Sequence, residues 1–384
     1  MFRKTFFWIH KWIGLLTGLI VFVISISGCI NVFSDELKAF FYKERYFIEA
    51  APNTPFLPFT QLRENAQAAL QPGIKISRAE IFSAKHRTWI FRATSIDKKA
   101  IGYWNHYEYY YRVYVNPYSG KIVYVENTKN DFFQLVLQLH MNLLLGDAIG
   151  TMITGTAVLC FFLLLLSGLI LWFPRKFTVK GFKKGLLLKW SVGWKRLFYD
   201  LHNVLGFYAL LPALLIALTG LVFAFTWADD AIQFVANGVK SVEKRVIPKS
   251  TPIEGHPAAT TDKVVGFLLK KHQDADMFSI RFREKDTDPL DIQVRLAKNR
   301  THLFEWYYFD KVNAKMLMRY NDRSVIGGEK FRSMNYDLHT GAYAGIPSKI
   351  LALLICLLCA SMPVTGYVMW YNKFSAQKKK KKTK

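Results

Sequence analysis

The sequence has few cysteines, and this shortage restricts what the protein can be. All four, Cys29, Cys160, Cys356 and Cys359, lie inside long apolar runs. The segments outside those runs therefore have no disulfide framework. Cys356 and Cys359 form a C-x-x-C motif, but no βαβ pattern surrounds it. We therefore interpret its thiols as lipid-facing or packing groups rather than as a redox site.

Charged residues are absent from four long apolar runs, which predicts four membrane-spanning helices. The runs are Ile13 to Phe33, Ala148 to Phe173, Val204 to Trp227 and Ile350 to Tyr371. Arg3 and Lys4 followed by an apolar run ending at Cys29 also resemble a lipoprotein signal. That run is long for a signal peptide, so we expect a retained helix.

Acidic residues are outnumbered, with 28 Asp and Glu against 52 Lys and Arg, and much of the surplus lies next to the apolar runs. Residues 1–12, the segment 175–203 and the tail 373–384 contain one carboxylate among them, Asp200. By the positive-inside rule these segments are cytoplasmic, so both termini are inside and two larger segments are outside. Cations beside membrane spans have anionic lipid headgroups as neighbours, so the charge predicts a lipid bilayer and no nucleic acid as partner.

The two outside segments have nearly equal lengths and one shared pattern, which indicates an internal duplication. Each begins with a predicted helix, Phe59 to Leu70 or Thr261 to Lys271, and continues as strands. The predicted strands are Ile74 to Phe82, Thr88 to Thr94, Tyr109 to Val115 and Lys121 to Glu126 in the first copy, and Phe278 to Phe282, Leu290 to Leu296, Glu305 to Phe309 and Lys315 to Arg319 in the second. Turn residues at Asn116 to Gly120 align with Asp310 to Ala314.

The predicted fold is a membrane bundle of four transmembrane helices with two small α+β domains outside it. Its segments are the first spanning helix in 1–34, a domain in 35–146, the second helix in 147–174, a basic loop in 175–203, the third helix in 204–228, a second domain in 229–341, the fourth helix in 342–372 and a Lys-rich tail in 373–384. Helix, domain and helix therefore occur twice in the same order.

Four of the nine histidines lie at the ends of the apolar runs. His10 and His202 are on the predicted inner side, whereas His140 and His339 are on the outer side. Gly28 follows His10 by the same number of residues as Gly220 follows His202, namely 18. Eighteen residues make five helical turns, so each histidine and its distant glycine share one helix face, roughly 27 Å apart.

A haem between helices needs an imidazole on each side of its iron and small residues beside the porphyrin edge. The predicted ligands of two haem b groups are His10 with His202 and His140 with His339, and the predicted clearance residues are Gly14, Gly206, Gly28 and Gly220. Asp200 and Asp337 each precede a histidine by two residues and are predicted to orient its ring. Anchoring at the membrane interface and zinc binding are the alternatives, although a zinc site usually has three or four clustered ligands.

Several motifs in the chain resemble those of one known family. They are Trp8-Ile9-His10-Lys11-Trp12-Ile13-Gly14, Asp200-Leu201-His202-Asn203-Val204-Leu205-Gly206, Asp337-Leu338-His339-Thr340-Gly341 and the turn Tyr114-Val115-Asn116-Pro117-Tyr118-Ser119-Gly120. The sequence resembles the PepSY-associated transmembrane proteins, which include iron-regulated membrane proteins and ferric-siderophore reductases. The second copy departs from the PepSY-like turn at Lys311 and Ala314, where Pro and Gly are expected.

The resemblance implies a di-haem oxidoreductase of the bacterial inner membrane that reduces a ferric siderophore in the periplasm and releases iron(II). The segment 175–203 is too short for a flavin reductase domain, and no G-x-G-x-x-G motif follows a strand. The expected electron donor is therefore a separate cytoplasmic flavoprotein or a membrane quinol. The candidate siderophore-binding residues are Tyr103, Trp104, His106 and Tyr107 in an aromatic stretch, although alternation on a sheet face explains half of that stretch without a ligand.

Two other functions are compatible with the sequence. One is a non-enzymatic membrane protein whose PepSY-like domains bind or regulate a periplasmic partner such as a peptidase. The other is a permease, which would need polar residues at mid-membrane depth. The spans offer little of that kind beyond Ser25, Thr154 and Thr156.

Overall fold

The computed structural model describes residues 2–49, 54–174, 178–240, 245–283 and 285–382. Parts of the predicted basic loop and tail, including Arg175, Lys176 and Lys384, lie outside the described residues. The helices are α1 (Phe2–Val32), α2 (Ser34–Phe41), α3 (Lys43–Tyr46), α4 (Phe59–Ala68), α5 (Tyr103–His106), α6 (Phe132–Asn142), α7 (Gly150–Trp172), α8 (Val179–Leu186), α9 (Trp194–Ala224), α10 (Thr226–Ala236), α11 (Ala258–Lys271), α12 (Gly327–Thr340) and α13 (Ile346–Lys382). The strands are β1 (Ile76–Ile81), β2 (Trp89–Ile96), β3 (Tyr107–Val115), β4 (Ile122–Asn127), β5 (Met277–Arg281), β6 (Leu290–Ala297), β7 (Arg300–Phe309) and β8 (Met316–Asn321).

One compact unit consists of Met1–Phe33, Val136–Asp229 and Leu338–Lys384. Helices α1, α7, α9 and α13 of this unit are long and apolar enough to cross a membrane, as predicted. Helices α1 and α9 begin well before the predicted starts of their spans, because no Gly or Pro interrupts the residues that precede them. His10 and His202 therefore lie within helices rather than at their ends.

The four long helices of this unit pack as a closed ring. Helix α1 contacts α7 and α13, and α9 contacts the same two helices from the opposite side. Small side chains such as Ala209 and Ala213 on α9 pack closely against Ile355 and Cys359 on α13. Close approach of this kind stabilises helix association where no water is displaced.

The second unit consists of Ser34–Leu135 and Asp230–Asp337 and contains one antiparallel sheet of eight strands. The strand order is β4-β3-β2-β1-β5-β6-β7-β8, and all eight predicted strands are present. The two segments that the sequence predicts as separate domains thus form one sheet, which corrects the prediction of two domains. Strand β1 would be a free edge within its own half, and pairing with β5 satisfies its backbone groups.

One face of the sheet forms the core of this unit. The residues Val113, Phe91, Ala79, Ile280, Ile292 and Tyr307 lie opposite one another on six neighbouring strands and are all buried. Leu62 of α4 and Leu268 of α11 belong to the same core. The two predicted helices are therefore confirmed, and they cover this face from the same side.

The two copies share their turn as well as their strands. Asn116 Oδ1 accepts hydrogen bonds from the backbone N–H groups of Tyr118 and Ser119. Asp310 Oδ1 accepts the equivalent pair from the second turn. Ala314 adopts a positive φ of 60°, as Gly120 does at 69°. The departures from the family pattern in the second copy therefore leave the turn conformation intact.

Candidate functional site

The structure brings together both predicted histidine pairs. The ring centroids of His10 on α1 and His202 on α9 are 6.3 Å apart. Those of His140 on α6 and His339 on α12 are 6.0 Å apart. Two imidazoles that bind one metal ion from opposite sides, with bonds of about 2.0 Å, have ring centroids roughly 6 Å apart. Each pair therefore has the separation that a shared metal ion requires.

A hydroxyl on a neighbouring helix orients each imidazole of the His10/His202 pair. His10 Nδ1 lies 2.9 Å from Ser167 Oγ on α7, and His202 Nδ1 lies 2.8 Å from Thr365 Oγ1 on α13. Each hydroxyl also donates to a carbonyl of its own helix. Because its single proton is used there, the hydroxyl oxygen accepts from Nδ1–H. That tautomer leaves the lone pair on Nε2, the nitrogen that can bind a metal.

Backbone carbonyls fix the tautomer of the His140/His339 pair. His140 Nδ1 lies 2.7 Å from Ile24 O, and His339 Nδ1 lies 3.1 Å from Ile216 O. A carbonyl oxygen only accepts, so Nδ1 carries the hydrogen in both rings. His339 Nδ1 also lies 3.0 Å from Thr219 Oγ1. Nε2 is again the nitrogen available for a metal.

A glycine lies beside each of the four imidazoles. An added Cβ would lie 3.2 Å from His140 Cε1 at Gly28, and 3.3 Å from His339 Cε1 at Gly220. At Gly168 and Gly366 the corresponding distances, to His10 and His202, are 3.4 and 3.8 Å. Gly28 and Gly220 thus leave room for the imidazoles of His140 and His339. That they also leave room for the edge of a porphyrin stays a prediction.

A cavity of about 920 Å³ lies between the four long helices around the His10/His202 pair. Gly14 and Gly206, the other two predicted clearance residues, line it. Their neighbours across the helix contacts are apolar, with Leu164 Cδ2 3.9 Å from a Cβ at Gly14 and Met362 Sδ 3.4 Å from one at Gly206. Mostly apolar cavities of this size accommodate large planar ligands.

The chemistry of the donor set suits a haem better than a tetrahedral metal ion. In the part of the chain that the structure describes, no group of three or more His, Cys, Asp or Glu side chains could hold a metal. Two imidazoles with the correct tautomer beside a large apolar cavity match axial ligation of a porphyrin iron. The residues around the His10/His202 pair therefore fit the predicted group.

The two predicted orienting carboxylates have other partners. Asp200 pairs with Arg196 at 2.8 Å, one turn earlier on α9. Asp337 accepts hydrogen bonds from Thr301 and from the backbone N–H of His302 on β7. The prediction that they hold the ligand rings is wrong, because the hydroxyls and carbonyls above already bind the Nδ1 atoms.

The residues that sequence reasoning missed are the hydroxyl partners of the histidines. They are Ser167, Thr365 and Thr219, with Ser27 Oγ at 3.5 Å from His140 Nδ1 as a more distant fourth. Each of the four is followed directly by one of the glycines that adjoin the rings. The signal was therefore a Ser-Gly or Thr-Gly pair in every span.

The residues of the predicted siderophore-binding stretch differ in their exposure to solvent. Tyr103, His106 and Tyr107 are buried, and Tyr103 donates a hydrogen bond to the carbonyl of Lys129. Trp104 is 57% exposed. Of these four residues, Trp104 is the one that a ligand can reach, and its role in binding stays a prediction.

Comparison with known families decides the relationship that the motifs suggest. The model of the PepSY-associated TM region matches residues 7–373. The chain belongs to this family. The match includes both histidine pairs and both halves of the sheet, and the four apolar helices make this PepSY-associated protein a membrane protein. None of the curated proteins matches the chain significantly.

Proposed function

We propose that this PepSY-associated membrane protein holds two haem b groups and transfers electrons across the bilayer. The observation that carries the proposal is the matched geometry of its two histidine pairs, in which every Nδ1 is hydrogen-bonded. Haem with two imidazole ligands accepts and releases single electrons. His10 precedes Gly28, the neighbour of His140, by 18 residues on α1, roughly 27 Å along its axis. The two sites therefore lie near opposite ends of the spanning helices.

The side chains around the His10/His202 pair have distinct tasks in this proposal. His10 and His202 bind the iron, while Ser167 and Thr365 hold their rings in one tautomer. Lys4 and Lys11 line the same cavity, so their ammonium groups can pair with the carboxylates of a haem. The rest of the lining is mostly apolar, which suits a porphyrin ring.

The proposed direction of transfer is from the cytoplasm to the periplasm across the bacterial inner membrane. The charge pattern supports this orientation, because the cationic segments 1–12, 175–203 and 373–384 are expected to be cytoplasmic. The unit that contains the eight-stranded sheet, Ser34–Leu135 with Asp230–Asp337, is called the sheet unit here and is then periplasmic. A cytoplasmic flavoprotein or a membrane quinol supplies the electrons in this scheme.

The proposed substrate is a ferric siderophore outside the membrane. One electron converts its iron(III) to iron(II), which such chelators bind less tightly, so the metal is released. The family membership supports this assignment, since the resemblance that led to it covers nearly the whole chain. The alternative is a colourless, non-enzymatic protein that binds or regulates a periplasmic partner such as a peptidase.

The decisive experiment is a dithionite-reduced minus oxidised absorption spectrum of the purified full-length protein, with a haem assay per chain. We expect low-spin b-type bands and two haems. His10→Ala and His202→Ala are each expected to remove one haem and leave the other. His86→Ala is the matched control, because His86 is exposed and stacks on Phe47 in the sheet unit. A colourless wild-type protein would reject the proposal and favour the non-enzymatic alternative.

A further inference from the structure

Four arginines lie directly opposite one another on neighbouring strands of the sheet. Arg78 on β1 faces Arg92 on β2 and Arg281 on β5, and Arg92 faces Arg112 on β3. We call Arg112, Arg92, Arg78 and Arg281 the arginine row. Opposed side chains lie about 5 Å apart at their Cβ atoms, and like charges in that arrangement repel. The row spans three strand spacings, roughly 14 Å.

The arginine row lies on the face of the sheet opposite to α4 and α11. Side chains alternate between faces along a strand. The residue after Arg78 is Ala79, which is fully buried in the core beneath these helices. Arg78 and its three cross-strand neighbours therefore project from the other face.

The two end members of the row each have a carboxylate partner, which also accepts from other donors. Glu126, opposite Arg112, accepts from Arg45, Tyr114 and Thr128. Asp291, opposite Arg281, is fully buried and accepts from Arg281, Arg283 and Trp306. Arg112 and Arg281 are therefore paired with carboxylates of the fold.

At the centre of the row, the two arginines Arg78 and Arg92 share one carboxylate, Glu80. Glu80 accepts a 2.9 Å hydrogen bond from Arg92. The side chain of Arg78 makes no hydrogen bond or ion pair with any of the residues that the structure describes. Within the same set, the buried Nε atoms of Arg92 and Arg112 have no hydrogen-bond partner. Burial, followed by the charges of Arg281 and Arg92, lowers the pKa of Arg78 to about 10.

We propose that the arginine row binds a multivalent carboxylate anion, with Arg78 in direct contact with it. Guanidinium groups bind carboxylates through two parallel hydrogen bonds, and a row of them suits a ligand with several carboxylates. Such an anion compensates the repulsion at the centre of the row and offers acceptors to the guanidinium of Arg78. The ring of Trp306, 4.5 Å from the Arg281 guanidinium, adds an aromatic wall on the same face.

This site also specifies the class of substrate. If the chain reduces a ferric chelate, the row selects one whose chelator carries carboxylates. That step rests on the proposed function, whereas anion binding itself does not. The binding test below needs no electron transfer, so the two proposals fail separately.

The test is isothermal titration of the full-length protein in non-ionic detergent with citrate, ferric citrate and inorganic phosphate. We expect the wild type to bind citrate and ferric citrate, and Arg78→Gln to weaken both at least tenfold. Arg63→Gln is the control, because it removes the same charge from α4, where Arg63 stacks on Phe282. This control is expected to leave citrate binding unchanged.

A melting curve without ligand distinguishes binding from a structural role. Removing Arg78 relieves repulsion, so Arg78→Gln is expected to melt at the same temperature as the wild type or higher. A lower melting temperature would assign Arg78 to the fold and overturn its binding role. Absence of citrate binding by the wild type, or equal binding by Arg78→Gln, would overturn the site. Phosphate binding as tight as citrate binding would overturn the carboxylate class.

A protein with two haems and no citrate binding would retain the proposed function and lose the carboxylate site. A protein that binds citrate but contains no haem would show the reverse.

Discussion

Thr365 Oγ1 lies 2.8 Å from His202 Nδ1 and also donates to the carbonyl of Ser361, four residues earlier in α13. The side chain therefore links the hydrogen bonding of one helix to the tautomer of a ring on another. Ser167 makes the same link to His10 from α7. Partners of this kind fix ring orientation and raise the basicity of the ligating nitrogen.

Removing that hydroxyl should weaken the His10/His202 site selectively. Thr365→Ala is expected to reduce haem affinity at this site roughly 10- to 100-fold, the usual cost of losing a partner of a metal-binding histidine. Haem content after dilution, and the midpoint potential of the remaining haem, measure the effect. Thr365→Ser keeps the hydroxyl and should restore both values.

Ser361→Ala is the matched control for this experiment. Ser361 lies one turn before Thr365 and donates to Leu358 O within its own helix. Equal haem loss in Ser361→Ala and Thr365→Ala would show that α13 tolerates neither change and would contradict a specific role for Thr365.

The glycines beside the rings should tolerate a methyl group to different degrees. Gly28→Ala places a Cβ 3.2 Å from His140 Cε1, which is tighter than ordinary contact, so this imidazole must shift by a few tenths of an ångström. Gly366→Ala places its Cβ 3.8 Å from His202 Cε1, an ordinary contact. Electron paramagnetic resonance of the oxidised protein reports ligand orientation. We expect an altered signal in Gly28→Ala and a wild-type signal in Gly366→Ala, and the opposite order would contradict the packing.

Much of the fold was predictable because its signals are local. Apolar runs without charge gave the four spans, and alternating apolar residues gave the eight strands. The union of the two sheet halves was not predictable, because the pairing of β1 with β5 joins residues about 200 positions apart, such as Ala79 and Ile280. Nothing within either strand distinguishes an edge that stays free from one that pairs.

The pairing of the four histidines in the candidate site was predictable from the sequence. Repetition of the His-to-Gly spacing paired His10 with His202 correctly, since periodicity determines which residues share a helix face. The orienting partners depend on which helices are neighbours, which spacing along one helix does not reveal. Nearness in sequence therefore suggested Asp200 as the partner of His202, although Asp200 forms an ion pair with Arg196 on its own helix.

His256 should make the sheet unit less stable in acid. Burial, assisted by the charges of Lys311 and Arg63, lowers its pKa to about 4. In the unfolded chain the ring titrates near its ordinary value of about 6.5, so below that pH the unfolded state binds a proton that the folded state does not. Stability is therefore expected to fall as the pH decreases from about 6.5 to 4.

Melting curves of the wild type and His256→Gln across this range test the prediction. Above pH 7 the melting temperatures of the two proteins should differ by a constant amount. Between pH 7 and pH 4 the melting temperature of the wild type should fall by about a few degrees more than that of the variant. Parallel curves over the whole range would mean that His256 does not titrate differently on folding.

The repeated turns predict substitutions of opposite effect at equivalent positions. Gly120 has φ of 69°, and an added Cβ would lie 2.6 Å from Asn65 Nδ2, so Gly120→Ala should lower the free energy of unfolding by more than about 1 kcal/mol. Ala314 has φ of 60° and already carries the strain of a Cβ in this region. Ala314→Gly removes that strain and should raise the free energy of unfolding by at most about 1 kcal/mol. Denaturant titration followed by tryptophan fluorescence measures both. Destabilisation by Ala314→Gly would show that the methyl contact with the core and the entropy that glycine adds to the unfolded chain together outweigh the backbone strain.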